Sequence, residues 1–184
     1  ELMDELNKVE SIEWLRLHYA HPAHLHREMI ARFGKLEKLL PYIDMPIQHA
    51  STKLLKSMRR GLGIDGILKR IAGLKNVCPD IILRTSIIVG YPGETDEDFQ
   101  ELCDLINEVQ FDRLGVFTYS EEEGTFAAKQ LEDNVPQQVK YDRMDQIMLL
   151  QQDISYEKNQ KLIGSTQKIL IDQNLESNES LGRT

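Results

Sequence analysis

The chain has 184 residues, with 22 Lys+Arg against 30 Asp+Glu and a net charge of −8, a length that suits one domain of ordinary size with a small appendage. A content of 41% hydrophobic and 28% charged residues excludes wholesale disorder. No apolar run approaches the roughly 20 residues of a membrane span, and the acidic opening ELMDELNKVE is unlike a signal peptide. An acid-shifted pI near 5.2 argues against non-specific nucleic-acid binding, which needs a basic surface, and is compatible with a basic protein partner.

A short helix, Leu2 to about Val9, opens the chain, which reads as a piece cut from something longer. The first strand-like run is Trp14-Leu-Arg-Leu-His-Tyr19, followed by a helical stripe of Leu25, Met29, Phe33 and Leu36. Tyr42-Ile-Asp-Met45 is the second strand. Met58-Arg-Arg60 reads as a helix end, where cations favour the negative pole, with ligand contact as the lesser alternative. Ile64, Ile67, Leu68, Ile71 and Leu74 give the cleanest helical stripe. Ile81 to Val89 is the third strand, apolar enough on both faces to suggest cover on both sides. Thr95-x-x-Asp98 resembles a capping box, ahead of an apolar face of Phe99, Leu102, Cys103 and Ile106. Leu114 to Tyr119 is the fourth strand. Pro136 suits the first turn of a long helix to about Gly164, with Val139, Met144, Ile147, Met148 and Ile154 as its apolar positions. Gln167 to Asp172 then reads as one new strand, which is not stable alone.

The order βαβαβαβ is the signature of a parallel sheet with right-handed crossovers. Four strands are too few for a closed barrel, although they could complete an open sheet. In such architectures the C-terminal strand edge carries function, and Asp44, Gln48, His49, Arg84, Ser86, Tyr119 and Ser120 all fall at or beyond it. Arg84 is the most informative: a guanidinium on an apolar strand needs an anion, either a structural carboxylate or the carboxylate of a ligand held by a bidentate fork. Alternation places Arg84, Ser86 and Ile88 on one face. The loop Gly90-Tyr-Pro-Gly-Glu-Thr95 lies where phosphate often binds, but Glu94, Asp96, Glu97 and Asp98 suit a cationic or amino group better. His18, His21, His24 and His26 straddle a strand end and a helix start, so surface and cap roles outweigh a metal site. The two cysteines, Cys78 and Cys103, exclude a disulfide framework and point to a reducing, cytoplasmic setting. Cys103, on a helix's apolar face, reads as a core thiol, and neither has a C-x-x-C partner.

Five stretches together resemble the radical-SAM methylthiotransferases: Trp14-Leu-Arg-Leu-His-Tyr-Ala-His-Pro22, Tyr42-Ile-Asp-Met-Pro-Ile-Gln-His49, Leu55-Lys-Ser-Met-Arg-Arg-Gly61, Leu83-Arg-Thr-Ser-Ile-Ile-Val-Gly-Tyr-Pro-Gly-Glu-Thr95 and Phe111-Asp-Arg-Leu-Gly-Val-Phe-Thr-Tyr-Ser120. Gln48-His-Ala-Ser51 and Tyr119-Ser-Glu-Glu-Glu-Gly-Thr125 depart from the tRNA-modifying branch. They favour the branch that methylthiolates an aspartate of a small-subunit ribosomal protein. The resemblance implies an α/β fold: part of an open TIM-type barrel over residues 1–164, ending in the long helix, and the truncated start of a TRAM-like β domain over 165–184. It also implies S-adenosylmethionine and [4Fe–4S] clusters in the full-length parent, none of them held by cysteines of this chain. Residues implied at the cofactor are Gln48, His49, Arg84, Ser86, Ile88 and Gly90, with no catalytic residue and no metal ligand. The implied partners are a small-subunit ribosomal protein, RNA through a complete TRAM domain, and no membrane. The chain alone is expected to be inactive and to self-associate through the exposed edge of its first strand. The rival readings are a tRNA methylthiotransferase relative and a non-catalytic α/β binding module.

Overall fold

The computed structural model describes residues 1–175 and 179–183. Helix α1 (Leu2–Lys8) precedes strand β1 (Leu15–Leu17), a 3-10 turn (Pro22–His24) and α2 (Arg27–Ile30). Then come β2 (Leu39–Asp44), α3 (Thr52–Ser57), α4 (Ile64–Val77), β3 (Ile82–Val89), α5 (Asp96–Val109) and β4 (Arg113–Thr118). Helices α6 (Phe126–Gln130) and α7 (Gln137–Leu162) follow, with strands β5 (Leu170–Asn174) and β6 (Ser180–Arg183) at the end. The first four strands form one sheet in sequence order, every neighbouring pair parallel, while β5 and β6 pair antiparallel by themselves. The expected βαβαβαβ order is therefore observed. The second of the two C-terminal strands runs toward Thr184, which lies outside the described residues, as do Glu176, Ser177 and Asn178.

Strand boundaries move where the backbone departs from a regular ladder. Tyr19 adopts φ +54°, which ends β1 before the histidine-rich turn. Strand β2 begins ahead of Pro41, a residue that cannot donate to a ladder, and the β1–β2 register shifts alongside it, between Leu15 and Leu17.

Strand β3 alternates strictly: Leu83, Thr85, Ile87 and Val89 are buried, while Arg84, Ser86 and Ile88 are only partly covered. The expectation of cover on both faces is thus corrected. Helices pack on one face only, where Ile43, Leu83 and Ile87 meet Ile67, Leu74, Leu102, Ile106 and Ile147 in a single core. The opposite face is concave and open. Register places Asp44 beside Arg84, Ser86 beside Gly115 and Ile88 beside Phe117 across it.

Helix α5 starts as read from the sequence: Thr95 Oγ1 accepts from the Asp98 amide and the Asp98 carboxylate accepts from the Thr95 amide, a reciprocal capping box. Helix α7 differs from its expected pattern. Of the positions read as apolar, Ile147 and Ile154 are buried, but Met148 is exposed. The buried face also carries Lys140, Arg143 and Gln151. Gln151 donates to the Phe111 carbonyl, and Lys140 pairs with Asp133.

Candidate functional site

Past Asp44 the second strand does not simply stop. Pro46 has no N–H, and the ladder is patched by Thr85, whose buried hydroxyl donates to the Met45 carbonyl and accepts from the Ile47 amide. Pairing resumes at Gln48, which donates its N–H to the Ser86 carbonyl and accepts from the Ile88 N–H. Gln48 carries φ +75°, a conformation rare outside glycine. Asp44 and Pro46 follow the alternation of the open face, and Ile43, Met45 and Ile47 are buried on the other.

A cavity of about 650 Å³ sits over this C-terminal edge, within the usual range for a small-molecule site. Gln48, Arg84, Ser86 and Ile88 line it, with Tyr91, Phe117 and Tyr119 supplying aromatic walls. His49 and Gly90 are not among its lining residues. His49 is wholly buried, with its Nδ1 accepting the Ser51 N–H and its Nε2 3.5 Å from Glu94. Gln48 lines the cavity while His49 is closed off in the core, so only Gln48 is placed to reach a ligand there. Gly90 has φ +73°, and a Cβ there would lie 2.3 Å from Cγ of Lys140. Glycine suits that position on two counts, its left-handed backbone and the α7 lysine that covers it.

Arg84 donates to Asp44 Oδ2 at 2.6 Å, and the buried Asp44 carboxylate raises its pKa further. The structural-carboxylate alternative is the one observed, although the guanidinium still reaches the cavity. His18 Nδ1 lies 3.7 Å from the same oxygen. The acidic loop expected to accept a cation does so from within the chain: Glu94 accepts Arg143 Nη1 at 2.8 Å and the amides of Gly90 and Tyr91. Tyr119 stacks edge-on to Tyr91 at 5.3 Å, and burial followed by Glu121 pushes its hydroxyl above the usual tyrosine range. That buried hydroxyl has no hydrogen-bond partner. Ser120 also lines the cavity and donates to Glu122.

Tyr19, Met58, Arg59, Arg60, Phe117 and Phe126 also line the cavity without having been singled out as cofactor contacts. Phe117 was within reach of period-two alternation, since it shares a face with Gly115 and Tyr119. Met58-Arg-Arg60 closes α3 as expected, and the lesser alternative of ligand contact also stands open, because all three residues line the cavity. Arg60 N–H bonds to Leu55 O and Arg59 N–H to Lys56 O, a Schellman closure of α3 with Arg59 at φ +57° where glycine is usual.

Among the described residues no three His, Cys, Asp or Glu side chains come together as a metal site. His21 instead caps the 3-10 turn through Nδ1, which accepts from the Ala23 N–H. Cys78 ends α4 and Cys103 lies within α5; both pack against the core, and burial raises both thiols. This donor set does not fit an iron–sulfur cluster, which takes several thiolates. The cavity does fit an adenosyl-amino acid: it has the required size, aromatic walls, and two buried polar atoms without partners, Arg60 Nε and the Tyr119 hydroxyl.

Known proteins resemble the chain over its whole length. The ribosomal protein uS12 methylthiotransferase RimO of Clostridioides difficile is 45% identical over all 184 residues of the chain, and that of Christiangramia forsetii is 46% identical. The corresponding protein of Vibrio cholerae is 45% identical over 183 residues. The chain spans only 41%, 40% and 38% of these relatives, respectively. The radical SAM enzyme coproporphyrinogen III oxidase (HemN) of Escherichia coli superposes with a TM-score of 0.55 at 19% identity, covering 76% of this chain and 40% of the other, a likeness of fold. The Radical SAM superfamily pattern matches residues 1–106, more than half of the sequence. The chain belongs to the radical SAM superfamily.

Proposed function

We propose that this chain is the C-terminal part of a radical-SAM methylthiotransferase barrel whose substrate is ribosomal protein uS12, modified at an aspartate, and that its cavity seats S-adenosylmethionine. The carrying observation is the cavity itself, built from the open face of a parallel sheet and lined by Gln48, Arg84, Ser86 and Ile88. Identity of 45% over the whole chain to a protein named for uS12 methylthiotransfer supports the choice of substrate. When bound, S-adenosylmethionine is the source of a radical once an iron–sulfur cluster supplies an electron. The residues of this chain bind and orient: Ser86 and Gln48 offer polar contacts, while Ile88 and Phe117 offer apolar surface to an adenine. The cluster ligands belong to other residues of the parent, so the chain alone forms no 5′-deoxyadenosine. The β5–β6 hairpin is the start of a TRAM-like unit that contacts RNA when complete, and the parent works in the cytoplasm, where ribosomes assemble.

The test uses the full-length parent with reconstituted clusters, offered uS12 and tRNA separately. Mass spectrometry should find a methylthio group on a uS12 aspartate and none on tRNA. Modification of tRNA alone would transfer the protein to the other branch. Ser86→Phe, placed beside Gly115 on the open face, should abolish product by filling the cavity, and a fully active variant would remove the site from the reaction.

A further inference from the structure

Arg84 cannot serve as the cavity's free anion clamp, because a buried carboxylate already holds it. The unneutralised charge lies elsewhere. Arg59 and Arg60 both line the cavity, and among the described residues neither has a carboxylate within ion-pair distance. Arg59 rests its guanidinium 4.1 Å from the centre of the Phe126 ring, a contact that positions the cation without cancelling it. Arg60 Nη2 donates to the Pro46 carbonyl at 2.8 Å, while its buried Nε–H has no acceptor. A buried guanidinium donor without a partner is costly unless a ligand supplies one. Its neighbour His21 is held below the usual histidine range by burial and then by the charge of Arg60. Among the described residues Glu122 is the one carboxylate on the cavity wall, and it takes the Ser120 hydroxyl.

We infer that Arg60, assisted by Arg59, is the carboxylate-recognising element of this cavity. The fork geometry of a guanidinium suits a carboxylate, and the anchoring of Arg60 on Pro46 fixes its plane before a ligand arrives. Two sources present that chemistry in the proposed reaction: the amino-acid end of S-adenosylmethionine and an acidic side chain of the protein substrate. The inference rests on the proposed reading of the cavity, and the experiment separates the two.

Equilibrium dialysis of this chain measures uptake of S-adenosylmethionine, its decarboxylated analogue, and a short Asp-bearing peptide beside its Asn twin. If the cofactor supplies the carboxylate, the wild type prefers S-adenosylmethionine over the decarboxylated form about tenfold or more, and Arg60→Gln erases the preference. If the substrate supplies it, both adenosyl compounds bind alike, while the Asp peptide outcompetes the Asn peptide only in the wild type. Arg60→Lys keeps the charge but loses the fork and should fall between. Arg59→Gln alters an exposed side chain, should melt like the wild type, and should weaken the same preference several-fold. Adenosyl binding with no carboxylate preference, or a preference that survives Arg60→Gln, overturns the inference and leaves the cavity reading intact. Failure of every adenosyl compound to bind the wild type overturns both.

Discussion

Glu94 is a carboxylate without solvent contact whose oxygens are all spoken for: one accepts Arg143, the other the amides of Gly90 and Tyr91. A Gln at this position must turn its amide toward one of these donors, leaving a donor facing a donor and Arg143 less neutralised in a site only 5% exposed. Glu94→Gln should therefore cost about 3 kcal/mol, read as a lowered urea midpoint with unchanged slope. Glu97→Gln, exposed on the first turn of α5, should shift it by under about 0.5 kcal/mol. The acidity of this loop was plain in the sequence, and so was its appetite for a cation. That the cation would be Arg143, far along the chain, was not, since a single sequence carries no distance information. The concave-face residues Arg84, Ser86 and Ile88 were legible because a strand's period is two. That rule did not separate His49 from Gln48, because the left-handed backbone at Gln48 breaks the alternation, and neither the positive φ of Gly90 nor its cover by Lys140 could be read locally.

At the scale of elements, the α5 N-terminus shows how much a local signal can specify. Asp98 closes the capping box and also accepts Lys53 Nζ from α3 at 2.8 Å, tying two helices together. Burial pushes its pKa up, but hydrogen bonds from Lys53, Ser51 and the Thr95 amide outweigh it and hold the carboxyl well below its ordinary 3.8. A depressed carboxylate stabilises the fold above the unfolded value and loses that contribution as pH falls through the folded one. Asp98→Asn should cost about 1 kcal/mol near neutrality. The gap between variant and wild type should narrow in strong acid, measured by denaturant unfolding at both pH values. An undiminished gap in strong acid would mean that shape, not charge, is what matters. Helix α7 is the opposite case. Its buried face mixes Ile147 and Ile154 with Lys140, Arg143 and Gln151, each of which donates to a residue outside the helix. Hydrophobic periodicity assumes that buried means apolar, so it assigned Met148 inward although that residue is half exposed.

For the whole molecule, the consequence of an open four-stranded sheet is unpaired backbone at its margins. Strand β1 donates its Leu15 N–H to the Lys38 carbonyl just ahead of β2, so alternation turns the backbone N–H and C=O of Arg16 outward, toward no strand among the described residues. The adjoining concave face leaves Tyr19 80% and Phe117 58% exposed. Exposed edges template pairing with another chain. Sedimentation velocity over a concentration series should therefore show dimers or larger species. Arg16→Pro deletes an outward N–H without touching the β1–β2 ladder and should return the chain to monomer. If association persists in that variant but disappears in Phe117→Ser, the concave face rather than the strand edge is responsible. A wild type that stays monomeric at the highest concentration would mean that three residues of β1 are too short an edge to recruit a partner.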